Sequence, residues 1–207
     1  MNAFTQYKHE PYSLLEWNNY ARLFASITTS VQMSVYMEAC QYLQGNVIDC
    51  GCGTAKIAPF LIDNVNIKSY IGIDYSSDMV EVASWVIGQL NNNKFNIQHS
   101  RIEDYKGSLF DSAVSIQSYY SWPEPLIILQ HIYNLLKPNG IFVLATANVN
   151  LPIEKLARDA WKELLTHPDF EAYKAYNVRL ATNPDANFVS LDDLVKQVSQ
   201  VGFKLET

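Results

Sequence analysis

The sequence predicts an α/β fold, a doubly wound and mostly parallel sheet with helices on both faces. Three observations predict it. Short apolar runs of strand length alternate with helix-length stretches through the middle of the chain. The runs NVIDC, YIGID, SAVSIQ and IFVLA each set apolar residues at consecutive positions, as strands covered on both faces do. A glycine turn, CGCG, lies directly between the first run and the stretch that follows it.

Residues 1–44 read as an N-terminal helical lid. Leu14, Leu15, Trp17, Tyr20, Ala21, Phe24 and Ile27 recur at helical spacing. Thr29 or Ser30 can cap a second helix that ends at Gly45. Residues 45–150 form the core. Strands are expected at Asn46–Cys50, Tyr70–Asp74, Phe95–Ser100, Ser112–Gln117 and Ile141–Ala145. The helices between them run over Ala55–Ile62, Ser77–Asn91 and Pro125–Leu136, the last stopped by Pro138 and Gly140. Crossovers of this length imply parallel neighbours. Residues 151–189 interrupt the rhythm and read as a helical insertion after the fifth strand. Residues 190–207 carry a last helix, capped by Ser190 and closed by Gly202, and a sixth strand at Phe203–Glu206. With no repeat, low-complexity tract or linker, 1–207 reads as a single domain.

Composition narrows the function classes. Hydrophobic residues make up 48% and charged residues 17%, the balance of a globular protein. The net charge is −6 and no Lys/Arg run could track a phosphate backbone, so nucleic acid is not the expected partner. Cys40, Cys50 and Cys52 lack C-x-x-C spacing, which argues against a disulfide framework and against a metal site. No apolar run approaches membrane-spanning length, and Met1–Glu10 lacks the basic-then-apolar layout of a secretory signal. The expectation is a cytoplasmic protein, monomeric or homodimeric, with no membrane partner.

The residues that carry chemistry begin at the glycine turn. Gly51 and Gly53 follow a strand and precede a helical stretch, a place where bare backbone can approach a nucleoside. Asp74, at the end of the second strand, can accept both hydroxyls of a ribose; it can also cap the helix that follows. A dinucleotide would need a third small residue where Lys56 stands, and its pyrophosphate would be repelled by Asp49 at the end of the first strand. A nucleoside carrying positive charge suits Asp49 better.

Taken together these segments resemble class I S-adenosylmethionine-dependent methyltransferases of the small-molecule type. VIDCGCGTAK is similar to the family's first motif and YIGIDYSSDMVEVA to its second. SRIEDYKGSLFDSAVSIQ resembles the adenine-contacting segment with its strand, LQHIYNLLKPNGIFVLAT the fifth-strand unit, and FVSLDDLVKQVSQVGFKLE the last helix and sixth strand. The resemblance implies S-adenosyl-L-methionine as cofactor and transfer of its methyl group by in-line displacement to a small-molecule acceptor. It assigns Asp49, Gly51, Cys52, Gly53, Thr54, Asp74, Tyr75, Met79, Arg101, Ile102, Glu103 and Gln117 to the cofactor. Tyr7, Tyr12, Trp17, Tyr20, Ser118, Tyr119, Trp122 and Tyr173 fall where an acceptor would sit, and His9 and Tyr120 are the candidate bases. His131 reads as structural.

Four departures from the family pattern stand out. Ala55 and Asn139 replace glycines, and Asn139 tolerates the left-handed backbone. Arg101 replaces an Asp that commonly holds adenine. The family's seventh, antiparallel strand has no counterpart, which implies a further C-terminal segment or an edge completed by another chain. A protein that kept the cofactor site and lost turnover is the alternative reading.

Overall fold

The structure, a computed structural model of the chain, describes residues 11–206. Two helices with reciprocal caps precede the sheet. In α1 (Leu14–Ser26) Ser13 Oγ accepts from Glu16 N–H at 3.3 Å, while Ser13 N–H donates to the Glu16 carboxylate at 2.8 Å. Thr29 and Gln32 repeat the arrangement at the start of α2 (Ser30–Cys40), so Thr29 and not Ser30 is the cap.

Among the described residues five strands form one sheet: β1 (Gly45–Cys50), β2 (Ile67–Asp74), β3 (Phe95–His99), β4 (Phe110–Ile116) and β5 (Leu136–Ala145). All neighbours are parallel and the order is β3-β2-β1-β4-β5. The alternation along β1 shows why apolar residues stand side by side in it. Val47 joins a core with Tyr36, Leu61, Tyr70 and Ile87, on the side of α2, α3 (Ala58–Leu61) and α4 (Ser77–Gln89). Ile48 and Cys50 join the opposite core with Ile128, Leu129 and Ile132 of α5 (Pro125–Leu135) and with Leu194 and Val198 of α8 (Leu191–Val201). A third cluster joins Tyr20, Ala21 and Ile27 of the lid region to Met79 on α4 and to Tyr173 of the insertion. The insertion consists of α6 (Ile153–Leu164) and α7 (Phe170–Ala181). None of the helices among the described residues is long and apolar enough to cross a membrane.

Three expected elements differ. The helix expected over Ala55–Ile62 shrinks to the single turn of α3. Ala55 sits at φ 57°, a left-handed value that cannot begin a right-handed helix, and Pro59 fits only the first turn of one. β5 starts at Leu136, directly after α5. Phe110 pairs with Leu136 and Ser112 with Ile141, so residues 137–140 bulge out of the ladder with Asn139 at φ 62°, the left-handed angle expected of it. The sixth strand is absent: residues 203–206 carry no strand. Gly202, left-handed at φ 117°, closes α8, and the Phe203 ring turns in against Phe142 and Tyr133 at 5.4 and 5.0 Å.

Candidate active site

A cleft of about 410 Å³ opens where the strand order reverses, beside the chain leaving β1, β2 and β4. Its floor is the glycine turn. Gly51 stands at φ 75°, and the N–H groups of Gly51 and Cys52 both donate to the Ile73 carbonyl, at 2.9 and 3.0 Å. A Cβ at Gly51 would come 2.1 Å from Ser118 Oγ, so the loops after β1 and β4 touch there and leave only backbone facing the cleft.

Two carboxylates face this floor. Asp74 accepts from Gly53 N–H at 2.8 Å with one oxygen and from Ser76 N–H at 2.9 Å with the other. It therefore ties the glycine turn to the start of α4, whose cap is Ser76, and each oxygen keeps a lone pair for a hydroxyl. Burial raises its carboxyl above the usual range, against the pull of the Ser76, Gly53 and Tyr75 N–H groups. Asp49 is 4% exposed and accepts from the Tyr70 hydroxyl at 2.8 Å. Burial pushes its carboxyl up to about 7; the Tyr70 hydrogen bond lowers it and the charge on Asp74 raises it.

The segment that follows β3 also lines the cleft. Ile102 is buried, and Arg101 sits 3.5 Å from Glu103 and 5.0 Å from the centre of the Tyr75 ring. Gln117 takes φ 57°, a value rare for a residue with a side chain, and its N–H donates to the Ala145 carbonyl at 2.7 Å. Asp49, Gly51, Cys52, Gly53, Asp74, Tyr75, Met79, Arg101, Ile102, Glu103 and Gln117 all line the cleft, as do Trp17, Tyr20, Ser118, Tyr120, Trp122 and Tyr173.

Three assigned residues lie elsewhere. Thr54 is 1% exposed and away from the wall, because Gly53 and Ala55 both take positive φ and fold its side chain into the protein. Tyr119 donates its hydroxyl to Gln197 of α8 at 2.6 Å and belongs to the core. Tyr12 packs in the roof against Trp17 and Tyr176, at 5.3 and 6.1 Å. Tyr7 and His9 lie outside the described residues. His131 bonds the Tyr105 carbonyl at 3.0 Å and is not among the cleft residues.

The reading of the sequence missed Tyr70, Lys56, Thr29 and Tyr36, of which all but Tyr70 line the cleft. No local signal marks Tyr70, whose role depends on the strand register. It pairs with Val47 and Gly72 pairs with Asp49, so a tyrosine two places from a glycine can reach along the sheet face to the carboxylate.

The observation that decides the family is a match to the whole of this frame. A family model described as a methyltransferase domain matches residues 18–207. The chain belongs to the methyltransferase domain family. A malonyl-[acyl-carrier protein] O-methyltransferase of Marinomonas is 30% identical over 103 residues, 48% of this chain and 37% of that protein. The chain spans less than half the length of the curated relatives it matches. Among solved structures, a Methanococcus maripaludis protein described as a candidate S-adenosyl-L-methionine-dependent methyltransferase aligns with a TM-score of 0.64. It is 17% identical, with 91% of this chain and 85% of that one covered. The cyclopropane synthase MmaA2 of Mycobacterium tuberculosis aligns with a TM-score of 0.62 at 16% identity, over 85% of this chain and 62% of that one.

The cofactor of this methyltransferase domain is S-adenosylmethionine, and the residues present fit it. Asp49 and Asp74 both line the cleft and suit a ligand that carries positive charge, and the glycine turn presents bare backbone beside them. One consequence concerns pH. A cation binds the charged form of Asp49, while the carboxyl is protonated below about 7. Cofactor affinity is therefore expected to fall as pH drops below about 7, by up to about tenfold per unit. Calorimetry at pH 5 and pH 7 checks this, and Asp49→Asn should flatten the dependence on the acid side.

Proposed function

We propose that the chain transfers the methyl group of S-adenosylmethionine to a small-molecule acceptor held in the chamber between lid and insertion. One observation carries the proposal: the cleft runs on from the glycine turn into a roofed space walled by Trp17, Tyr20, Tyr36, Tyr120 and Tyr173. The roof is tied down by polar contacts. Asn177 donates to the Tyr20 hydroxyl at 3.1 Å, Ser30 N–H donates to the Glu163 carboxylate at 2.7 Å, and Arg179 pairs with Glu16 at 2.8 Å. Such a space favours a compact, largely apolar acceptor over a polymer. The acidic net charge supports the same choice over nucleic acid. A cytoplasmic setting and a monomeric or homodimeric state belong to the same proposal.

When bound, the cofactor supplies an electrophilic methyl group on a cationic sulfur that leaves as a neutral thioether. What the protein adds is alignment and the exclusion of water. Holding acceptor and methyl in line is worth about 7–11 kcal/mol. Burial pushes the Tyr120 phenol far above its ordinary value, and the neighbouring phenols Tyr176, Tyr12 and Tyr173 push the same way. Tyr120 therefore stays protonated and acts as a hydrogen-bond donor to the acceptor rather than as a base. Tyr120→Phe should lower kcat/KM by about threefold to tenfold and leave cofactor affinity unchanged, the effect of one neutral hydrogen bond.

The proposal is tested by incubating the protein with S-adenosylmethionine and a fractionated metabolite extract, then following products by mass spectrometry. S-adenosylhomocysteine together with a metabolite heavier by one methylene is the expected result. Cofactor binding with no product from any fraction would favour a silent cofactor-binding protein.

A further inference from the structure

Lys56 follows the glycine turn and lines the same cleft as Gly51, Cys52 and Gly53. Its ammonium donates to the Ile27 carbonyl, at the C-terminal cap of α1, and lies 3.9 Å from the centre of the Phe24 ring. Phe24 closes on the turn itself, for a Cβ at Gly53 would stand 3.3 Å from its ring. Among the described residues no carboxylate lies within ion-pair distance of Lys56. Burial pulls the ammonium down to about 7. One carbonyl and one aromatic face leave donor capacity on a three-donor head group, in a place where charge is costly to keep.

The cofactor brings a sulfonium, an ammonium and a carboxylate. Asp49 and Asp74 answer the positive charge and the ribose hydroxyls, and neither can hold the carboxylate. Two other cations line the cleft, Arg101 and Lys174. Arg101 lies beyond β3 beside Glu103 and Tyr75, at the adenine end, and Lys174 belongs to α7 in the roof. Lys56 stands at the turn over which the amino-acid part must lie once the ribose is on Asp74 and the methyl faces the chamber. We propose that Lys56 is the anchor for the α-carboxylate of S-adenosylmethionine. The same head group also bonds the lid through Ile27, so anchoring the carboxylate fixes the turn and the end of α1 at one point.

The test is calorimetry of the wild-type chain, Lys56→Met and Lys56→Arg with two probes: S-adenosylmethionine, and its decarboxylated form, which keeps the sulfonium and the amine. The wild type should prefer the intact cofactor by about tenfold or more, the strength of one charge-assisted contact. Lys56→Met should lose that preference by binding the intact cofactor more weakly, with the decarboxylated form unchanged within about twofold. Lys56→Arg should keep most of it. Equal weakening of both probes in Lys56→Met would overturn the proposal, because Lys56 would then act through lid packing alone. A preference that survives Lys56→Met also overturns it, since another group must hold the carboxylate. If the wild type binds neither probe, the cofactor assignment itself fails and takes this one with it.

Discussion

Replacing Asp74 with alanine is expected to weaken S-adenosylmethionine binding by about two orders of magnitude or more. Hydrogen bonds to a charged acceptor contribute about 1.5–3 kcal/mol each, and a ribose presents two hydroxyls. Their sum of about 3–6 kcal/mol corresponds to roughly a hundredfold or more in the dissociation constant. A second loss adds to this. Asp74 holds Gly53 N–H at 2.8 Å and Ser76 N–H at 2.9 Å, so its removal loosens the turn under the cofactor and the first turn of α4 together. Asp74→Asn keeps an acceptor without the charge and should fall between wild type and alanine. Titration of both variants checks the order. A folded Asp74→Ala protein that binds the cofactor within a few-fold of wild type would remove the ribose assignment.

Gly51→Ala is expected to be strongly destabilising. The backbone there is left-handed at φ 75°, which costs a residue with a Cβ about 1–2 kcal/mol. The new methyl would lie 2.1 Å from Ser118 Oγ and 2.7 Å from Ser118 Cβ. Ser118 cannot yield freely, because its Oγ accepts from Trp122 Nε1 at 2.9 Å and its carbonyl accepts from Ser121 Oγ at 2.7 Å. With that bond broken or the loops forced apart, a destabilisation of about 2–4 kcal/mol is expected, roughly 4–16 °C in Tm for a chain of this size. Gly88→Ala is the matched control. It lies in the exposed face of α4 with nothing within 4 Å of the added Cβ, and should raise stability by about 0.5–1 kcal/mol. Thermal melts of both variants separate a general intolerance of glycine substitution from the specific clash at the turn.

The parts of this molecule that could be read from its sequence are those fixed by local rules. Capping pairs such as Ser13–Glu16, Thr29–Gln32 and Ser190–Asp193 announce helix starts because both partners lie three residues apart. The doubly buried strands announce themselves by composition, since Val47 and Ile48 must satisfy opposite cores. The glycine turn and Asp74 were legible for the same reason, each lying at the end of an obvious strand. Contacts between distant segments were not. The hydrogen bond from Tyr70 to Asp49 exists only in the register that sets Gly72 opposite Asp49. The loss of the helix expected after the turn depends on the left-handed angle at Ala55, a residue whose identity argues for helix. Phe203 alternates with polar neighbours as a strand residue would, yet its ring is taken up by Phe142 and Tyr133. Of the aromatic side chains assigned to the acceptor, Trp17, Tyr20, Trp122 and Tyr173 line the cleft while Tyr12 and Tyr119 do not. Nothing local separates the two groups, because the wall is assembled from the lid, the loop after β4 and the insertion.

The glycine turn and its two carboxylates would hold a positively charged nucleoside with its ribose on Asp74. A crystal structure with S-adenosylhomocysteine tests it most directly. Both ribose hydroxyls should lie within hydrogen-bonding distance of the Asp74 carboxylate, with the amino-acid part over Gly51 and the amine on the side of Asp49. A ligand bound away from the turn, or one whose hydroxyls meet other groups while Asp74 faces none of it, would contradict the account.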